Sequence, residues 1–183
     1  MPCRLRIDLD CLMILRASLG AVSPEEGCAL LLGESAPDLN VRFVWPCCNV
    51  WRPGFGGFSD AISVDRDQEP VSASRRSRFA LDPREQIAAQ RWSRQRGWRV
   101  LGSAHSHPEG QPVPSAVDRQ WAAGEGVMVN DAGVAGIRAW WLPGAGPEGP
   151  DKPVSALSLV VHGQAPVGDT VKSCPDGVSL PLQ

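Results

Sequence analysis

Apolar residues along this chain fall into short runs and helical spacings that mark out its elements. Leu5 to Leu9 reads as a strand, and Leu12, Ile14, Leu15 and Leu19 then predict a helix ending near Gly20, with Pro24 blocking any continuation. Cys28-Ala29-Leu30-Leu31-Leu32-Gly33 is an unbroken apolar run closed by glycine, the pattern of a strand buried on both faces, and Val41 to Val44 is a second β-compatible run. Asp82-Pro83 opens a helix through Ile87, Ala88, Arg91 and Trp92, because aspartate caps and proline fits the first turn; Gly97 supplies the stop. Trp98 to His105 predicts a central strand, Ser115 to Ala123 a second short helix, and Val127 to Val129, Ile137 to Leu142 and Ala156 to Val161 the remaining strands. Helices interleaved with strands indicate an α/β domain.

Between these elements lie stretches of another kind. Gly54 to Ser77 is rich in Gly, Ser, Asp and Arg and reads as a mobile surface loop, and Pro143 to Pro153 as a connector. Residues 164–183 carry too few apolar side chains to pack, so the expected organisation is one domain over 1–163 and a poorly structured tail over 164–183.

Composition narrows the class. The chain has 183 residues, 43% hydrophobic and 21% charged, which fits one soluble globular domain and neither a disordered nor a membrane protein. A net charge of −2 leaves no global basic footprint for nucleic acid or anionic lipid. Arg75, Arg76, Arg78, Arg91, Arg94, Arg96 and Arg99 with Trp92 and Trp98 could form a local basic patch; solvated arginine over core tryptophan, or a dock for an acidic partner, explains them without nucleic acid. No apolar run of about 18 residues is present, and Asp8, Asp10 and Arg16 interrupt the first apolar stretch, so no membrane span or signal is expected and the location expected is cytoplasmic. Cys3, Cys11, Cys28, Cys47, Cys48 and Cys174 form no C-x-x-C pair and read as reduced thiols.

The candidate chemistry lies at the end of the central strand. In His105-Ser106-His107 the two imidazoles are two residues apart and point to one face, while Ser106 points away. Pro108, Gly110, Pro112 and Pro114 turn the chain, and Asp118 returns a carboxylate one turn into the following helix. Two imidazole nitrogens and one carboxylate suit zinc with a fourth position left for water. Taken by themselves, Ser115 and Asp118 read as a helix-capping box. His162, the third histidine, has no acidic companion nearby in sequence and reads as an ordinary edge histidine.

His105-Ser106-His107-Pro108, with seven residues counted from Pro108 to Pro114 and then Ser115-Ala116-Val117-Asp118, resembles the signature of the JAMM/MPN (JAB-domain) metallopeptidases, closest to short bacterial members. Ser23-Pro24-Glu25-Glu26-Gly27 before the Leu-rich strand resembles the family's upstream glutamate segment, with Glu26 aligned best and Glu25 its competitor; Gly27 and Ala29 depart from the usual residues there. The resemblance continues through Pro46 to Val50, Arg78 to Pro83 and Gly97 to His107. It implies an MPN-type, cytidine-deaminase-like α-β-α domain with a curved mixed central sheet. It also implies one zinc per chain on His105, His107 and Asp118, Glu26 as general base, and Ser115 as donor to the oxyanion. The activity implied is hydrolysis of an amide or isopeptide bond at the Gly-Gly end of a ubiquitin-like or sulfur-carrier protein conjugate. Two other readings stand beside it: a noncatalytic MPN scaffold, although no ligand residue is missing, and a RadC-like DNA-linked JAB domain, against which the upstream Glu segment argues.

Overall fold

The computed structural model describes residues 2–36, 38–54, 73–121, 124–144 and 153–163. Strand β1 (Arg4–Asp8) leads directly into helix α1 (Leu9–Gly20), followed by β2 (Cys28–Glu34) and β3 (Leu39–Cys47). After the segment 73–82 come α2 (Pro83–Arg94), β4 (Arg99–Ser106), the short helix α3 (Ala116–Trp121), β5 (Gly126–Asp131), a 3-10 turn (Gly133–Ala135), β6 (Ile137–Leu142) and β7 (Ser155–His162). Residues 55–72 of the expected loop, 145–152 of the connector and the expected tail 164–183 lie outside the described residues.

Strand β2 is buried along nearly its whole length, and its two faces serve different helices. Ala29 and Leu31 join Leu15 and Leu19 of α1 in the main core, while Leu30 and Leu32 pack with Ala89 and Trp92 of α2. Alternate side chains of an extended strand point to opposite faces, so a continuous apolar run is what a strand covered on both sides requires. The Asp82 carboxylate accepts from the Arg84 N–H at 2.8 Å and caps α2. Gly97 ends the turn after it with φ 70°, Gly97 N–H donating to the Arg94 carbonyl and Trp98 N–H to the Ser93 carbonyl, the paired bonds of a Schellman stop. Strand β3 runs past the expected Val41–Val44 segment to Cys47. Beyond Val41 it pairs only with β2, so Pro46 sits on an edge where its missing N–H is tolerated.

The sheet is mixed, as the resemblance implies, but it closes into a barrel in the order β1-β3-β2-β4-β5-β6-β7. The closure goes beyond the expected curved mixed central sheet and corrects it in that respect. β1 lies parallel to β3 through Leu5, Arg6 and Ile7 and parallel to β7 from Arg4 to Asp8, so strand twist brings the two would-be edges together and pairs their backbone groups. Strand β4 lies opposite this seam, antiparallel to β2 and parallel to β5, and its register aligns Cys28, His105 and Asn130 in one row across the sheet. Among the described residues no helix is long and apolar enough to cross a membrane.

Candidate metal centre

Strand β4 delivers His105 at its buried end, and the chain stays extended just far enough to present His107 on the same side. Ser106 points to the other face. Its Oγ accepts from Gly27 N–H at 2.8 Å, and its own N–H donates to the Gly27 carbonyl at 3.0 Å. The middle residue of the His-Ser-His run therefore ties the Glu26–Gly27 segment to the strand that carries both imidazoles. Gly27 also lies against the end of α1, where a Cβ would stand 2.5 Å from the Leu19 carbonyl oxygen and 2.8 Å from its Cα. Backbone cannot yield as a flexible side chain can, which accounts for glycine at this position. Gly27→Ala should lower stability by about 1–3 kcal/mol, read as a shift in the urea unfolding midpoint; an unchanged midpoint would refute this account of the contact.

Asp118 reaches the imidazoles from the first turn of α3. Its Oδ2 accepts from Ser115 N–H at 2.7 Å, and its own N–H donates to Ser115 Oγ at 3.1 Å, so the capping box is present. The same carboxylate faces the histidines, with Oδ1 3.4 Å from His105 Nε2 and Oδ2 3.5 Å from His107 Nε2. The two Nε2 atoms are 2.8 Å apart. Donors at about 2.0–2.1 Å around a tetrahedral zinc stand about 3.3 Å from one another, so the histidine–aspartate spacings suit such an ion, while the two imidazole nitrogens stand closer than a bound ion would hold them. His107 Nδ1–H donates to the Gln111 carbonyl at 2.7 Å, which leaves the Nε2 lone pair facing inward, the usual outer-shell hold on a ligating histidine. The His105 ring is fully buried and stacks on Phe79 with centroids 4.1 Å apart. Among the described residues, His105, His107 and Asp118 are the group of side chains that could hold a metal ion.

The electrostatics agree with that donor set. Burial works against the Asp118 anion, but His105, His107 and the Ser115 N–H outweigh it and hold the carboxyl well below the usual range. Burial pushes His105 down towards the neutral form despite Asp118. His107 is pushed up: burial opposes its charge, and Asp118, the Gln111 carbonyl and Glu26 more than offset this. Burial also pushes the Cys28 thiol, which shares the register row of His105, up to about 12, with Glu85, Cys48 and Glu26 adding to the effect. Cys28 is thus held as a thiol and offers neither a thiolate ligand nor a thiolate nucleophile near neutral pH.

Glu26 is buried, whereas its neighbour Glu25 turns outward to Arg75 at 3.8 Å with its side chain about half exposed. The Glu26 N–H donates to the Arg75 carbonyl at 2.7 Å, and its carbonyl accepts from Asn49 Nδ2 at 3.0 Å. Asn49 also donates to the Arg78 carbonyl and accepts from the N–H groups of Trp51 and Ala80, so one amide pegs three segments beside the centre. Burial raises the Glu26 carboxyl to about 8; Asp118 adds to the rise, and His107 and Arg78 pull the other way. Folding of the metal-free protein therefore takes up a proton at this carboxyl. The stability so gained is complete below the ordinary value of 4.5 and is lost as pH rises to about 8. The metal-free parent should lose up to about 1.4 kcal/mol per pH unit through this window relative to Glu26→Gln. Urea midpoints at several pH values measure it, and parallel profiles would remove Glu26 as the source.

Ser115 is exposed at the start of α3, and because its Oγ accepts from Asp118 N–H, its own hydroxyl proton remains available to donate. His162 lies apart from the cluster and does find an acid, Asp8 Oδ1 at 2.7 Å across the β1–β7 seam, a partner remote in sequence. Asn49, Gln111, Phe79 and Asn130 all touch the centre or its supports without having been singled out from sequence. Asn130 is fully buried, with Nδ2 3.0 Å from His105 Nε2 and 3.4 Å from His107 Nε2. A cleft of about 530 Å³ opens beside Asp118, walled by Trp51, Phe79, Gln86, Ser103, Val117 and Val127.

Residues 10–143 match the family model described as prokaryotic homologs of the JAB domain. The chain belongs to this family. A curated desampylase of Haloferax volcanii is 38% identical to this JAB-domain protein over 74 residues, 39% of the present chain and 53% of the relative, so the chain spans about half the relative's length. Among solved structures, a Desulfitobacterium hafniense protein aligns with TM-score 0.61 and 24% identity over 87% of this chain and 94% of its own. A Salinibacter ruber protein aligns with TM-score 0.53 and 25% identity, over 86% and 92% of the two chains.

Proposed function

We propose that this JAB-domain protein is a zinc-dependent hydrolase that cuts an amide or isopeptide bond at the Gly-Gly end of a ubiquitin-like or sulfur-carrier protein conjugate. The observation that carries the reading is the convergence of His105 Nε2, His107 Nε2 and the Asp118 carboxylate beside the buried Glu26. Likeness to a desampylase supports a ubiquitin-like protein as substrate. The catalytic domain spans residues 1–163, with 164–183 outside it, and the location that fits is cytoplasmic.

In this reading His105, His107 and Asp118 hold the ion, which when bound supplies Lewis acidity and lowers the pKa of water. Glu26 takes the proton from the attacking water and passes it to the leaving amine, a task that its buried place beside the donor set suits. Ser115 donates its free hydroxyl proton to the oxyanion while its oxygen continues to cap α3. The cleft walls between Phe79 and Val117 receive the extended tail, where glycines leave room for close approach of the backbone.

The test uses zinc-loaded protein and a ubiquitin-like carrier joined through its terminal glycine to a lysine side chain. Release of free carrier, lost on chelation and restored by zinc, is the expected result. Zinc-loaded protein that binds such conjugates but releases nothing would return the scaffold reading to first place.

A further inference from the structure

Helix α1 buries one face in the core and leaves the other uncovered. Leu15 and Leu19 point inward and are buried. Met13, Ile14, Ala17, Gly20 and the cap residue Ala21 recur at three- and four-residue spacing, so they share the opposite face, and all are exposed. The outward face of a surface helix is ordinarily polar. Here the charge it carries is Asp10, at its N-terminal end. Arg16, on the flank, is drawn away to Asp131 Oδ2 at 3.2 Å and to the Gly133 carbonyl at 3.0 Å. The turn it reaches carries Val134, which stands fully exposed beside the helix.

Area and shape point to one kind of neighbour. Met13 is 61% exposed and Ile14 52%. With Val22, Val134 and the small residues they flank, the face presents on the order of 600 Å² of apolar surface, the upper end for the largest patch on a monomer. Two copies set face to face would bury about 1,200 Å², where specific interfaces begin. The face is also complementary to itself. In an antiparallel pair about a two-fold axis at Ala17, Ile14 lies against the partner's Ala21 and Met13 against the partner's Gly20, so each large side chain meets a small one. Gly20 has no other reason to be glycine: its φ lies outside the left-handed range, and a Cβ there would meet nothing within 4 Å of its own chain. Glycine weakens a helix relative to alanine, and close approach of another surface is a use that offsets this. A lipid surface would call for basic residues around the apolar stripe, and Asp10 with the engaged Arg16 supplies none.

We propose that the outer face of α1 is a homodimer interface, two copies of this chain packing antiparallel through Met13, Ile14, Ala17, Gly20 and Ala21. The pairing stands independently of the metal and of hydrolysis.

Sedimentation equilibrium of the full chain over a range of concentrations tests it, for the parent, Gly20→Leu, Met13→Glu, and Met13→Ala combined with Gly20→Leu. The parent should dimerise with a Kd on the order of micromolar, as suits an interface of this size. Gly20→Leu should weaken pairing by about 100-fold or more while circular dichroism stays that of the parent, because the space its side chain enters is open in the single chain. Met13→Glu should do the same by bringing an unpaired charge into the contact. The double substitution exchanges large and small across the axis and should recover most of what Gly20→Leu loses. A parent that stays monomeric at about 100 µM overturns the proposal and leaves the face to a different partner. A dimer that both Gly20→Leu and Met13→Glu leave as tight as the parent overturns it too, and places the contact elsewhere on the surface.

Discussion

Purified beside the parent and dialysed without chelator, His107→Ala should retain almost no zinc where the parent keeps about one ion per chain. His107 supplies one of three converging donors and is itself fixed by the bond from Nδ1–H to the Gln111 carbonyl, 2.7 Å long. Its loss leaves His105 and Asp118 facing a gap that solvent fills. Asp118→Ala should lose the ion as completely, and it should also lower stability by about 0.5–2 kcal/mol, because the same carboxylate accepts from Ser115 N–H at the start of α3. Elemental analysis reads the first effect and urea unfolding the second. Stoichiometric zinc in folded His107→Ala would mean that the ion sits elsewhere.

Glu26→Gln should separate binding from chemistry. The amide has nearly the shape of the carboxyl, and the supports of this segment, from Arg75, Asn49 and Ser106, all act on backbone atoms, so the fold and zinc content should be kept. Hydrolysis should fall by about 10²–10⁴-fold, the usual contribution of a positioned general base. Single-turnover rates at matched zinc occupancy measure this. Full activity in Glu26→Gln would take the proton-transfer role away from Glu26 and turn attention to Glu25, although that residue faces Arg75 at the surface.

The parts of this architecture that could be read from sequence are those fixed by local chain geometry. His105 and His107 lie two residues apart in extended chain, and Asp118 follows a proline-rich turn by one helical turn, so their meeting is a matter of short-range periodicity. The cap at Asp82 and the stop at Gly97 are local for the same reason. Barrel closure was not legible, because it depends on Arg4–Asp8 meeting Ser158–His162, a pairing that no local pattern encodes. Asn130 was passed over because an asparagine within Val127 to Asp131 is unremarkable until the register brings it beside His105. That Glu26 is buried while Glu25 faces Arg75 could not be read from sequence, because it depends on the long-range contacts of Gly27 with Ser106 and of Glu26 with Asn49.

The seam between β1 and β7 joins the first strand to the last among the described residues. During synthesis β1 can meet β3 early, but its other side must wait until β7 has emerged, some 150 residues later, so ring closure is among the most non-local events in the folding of this chain. Until then β1 presents an unpaired edge to the surroundings. The strands that carry the histidines and the asparagine lie across the barrel from that seam, among neighbours that pair without it.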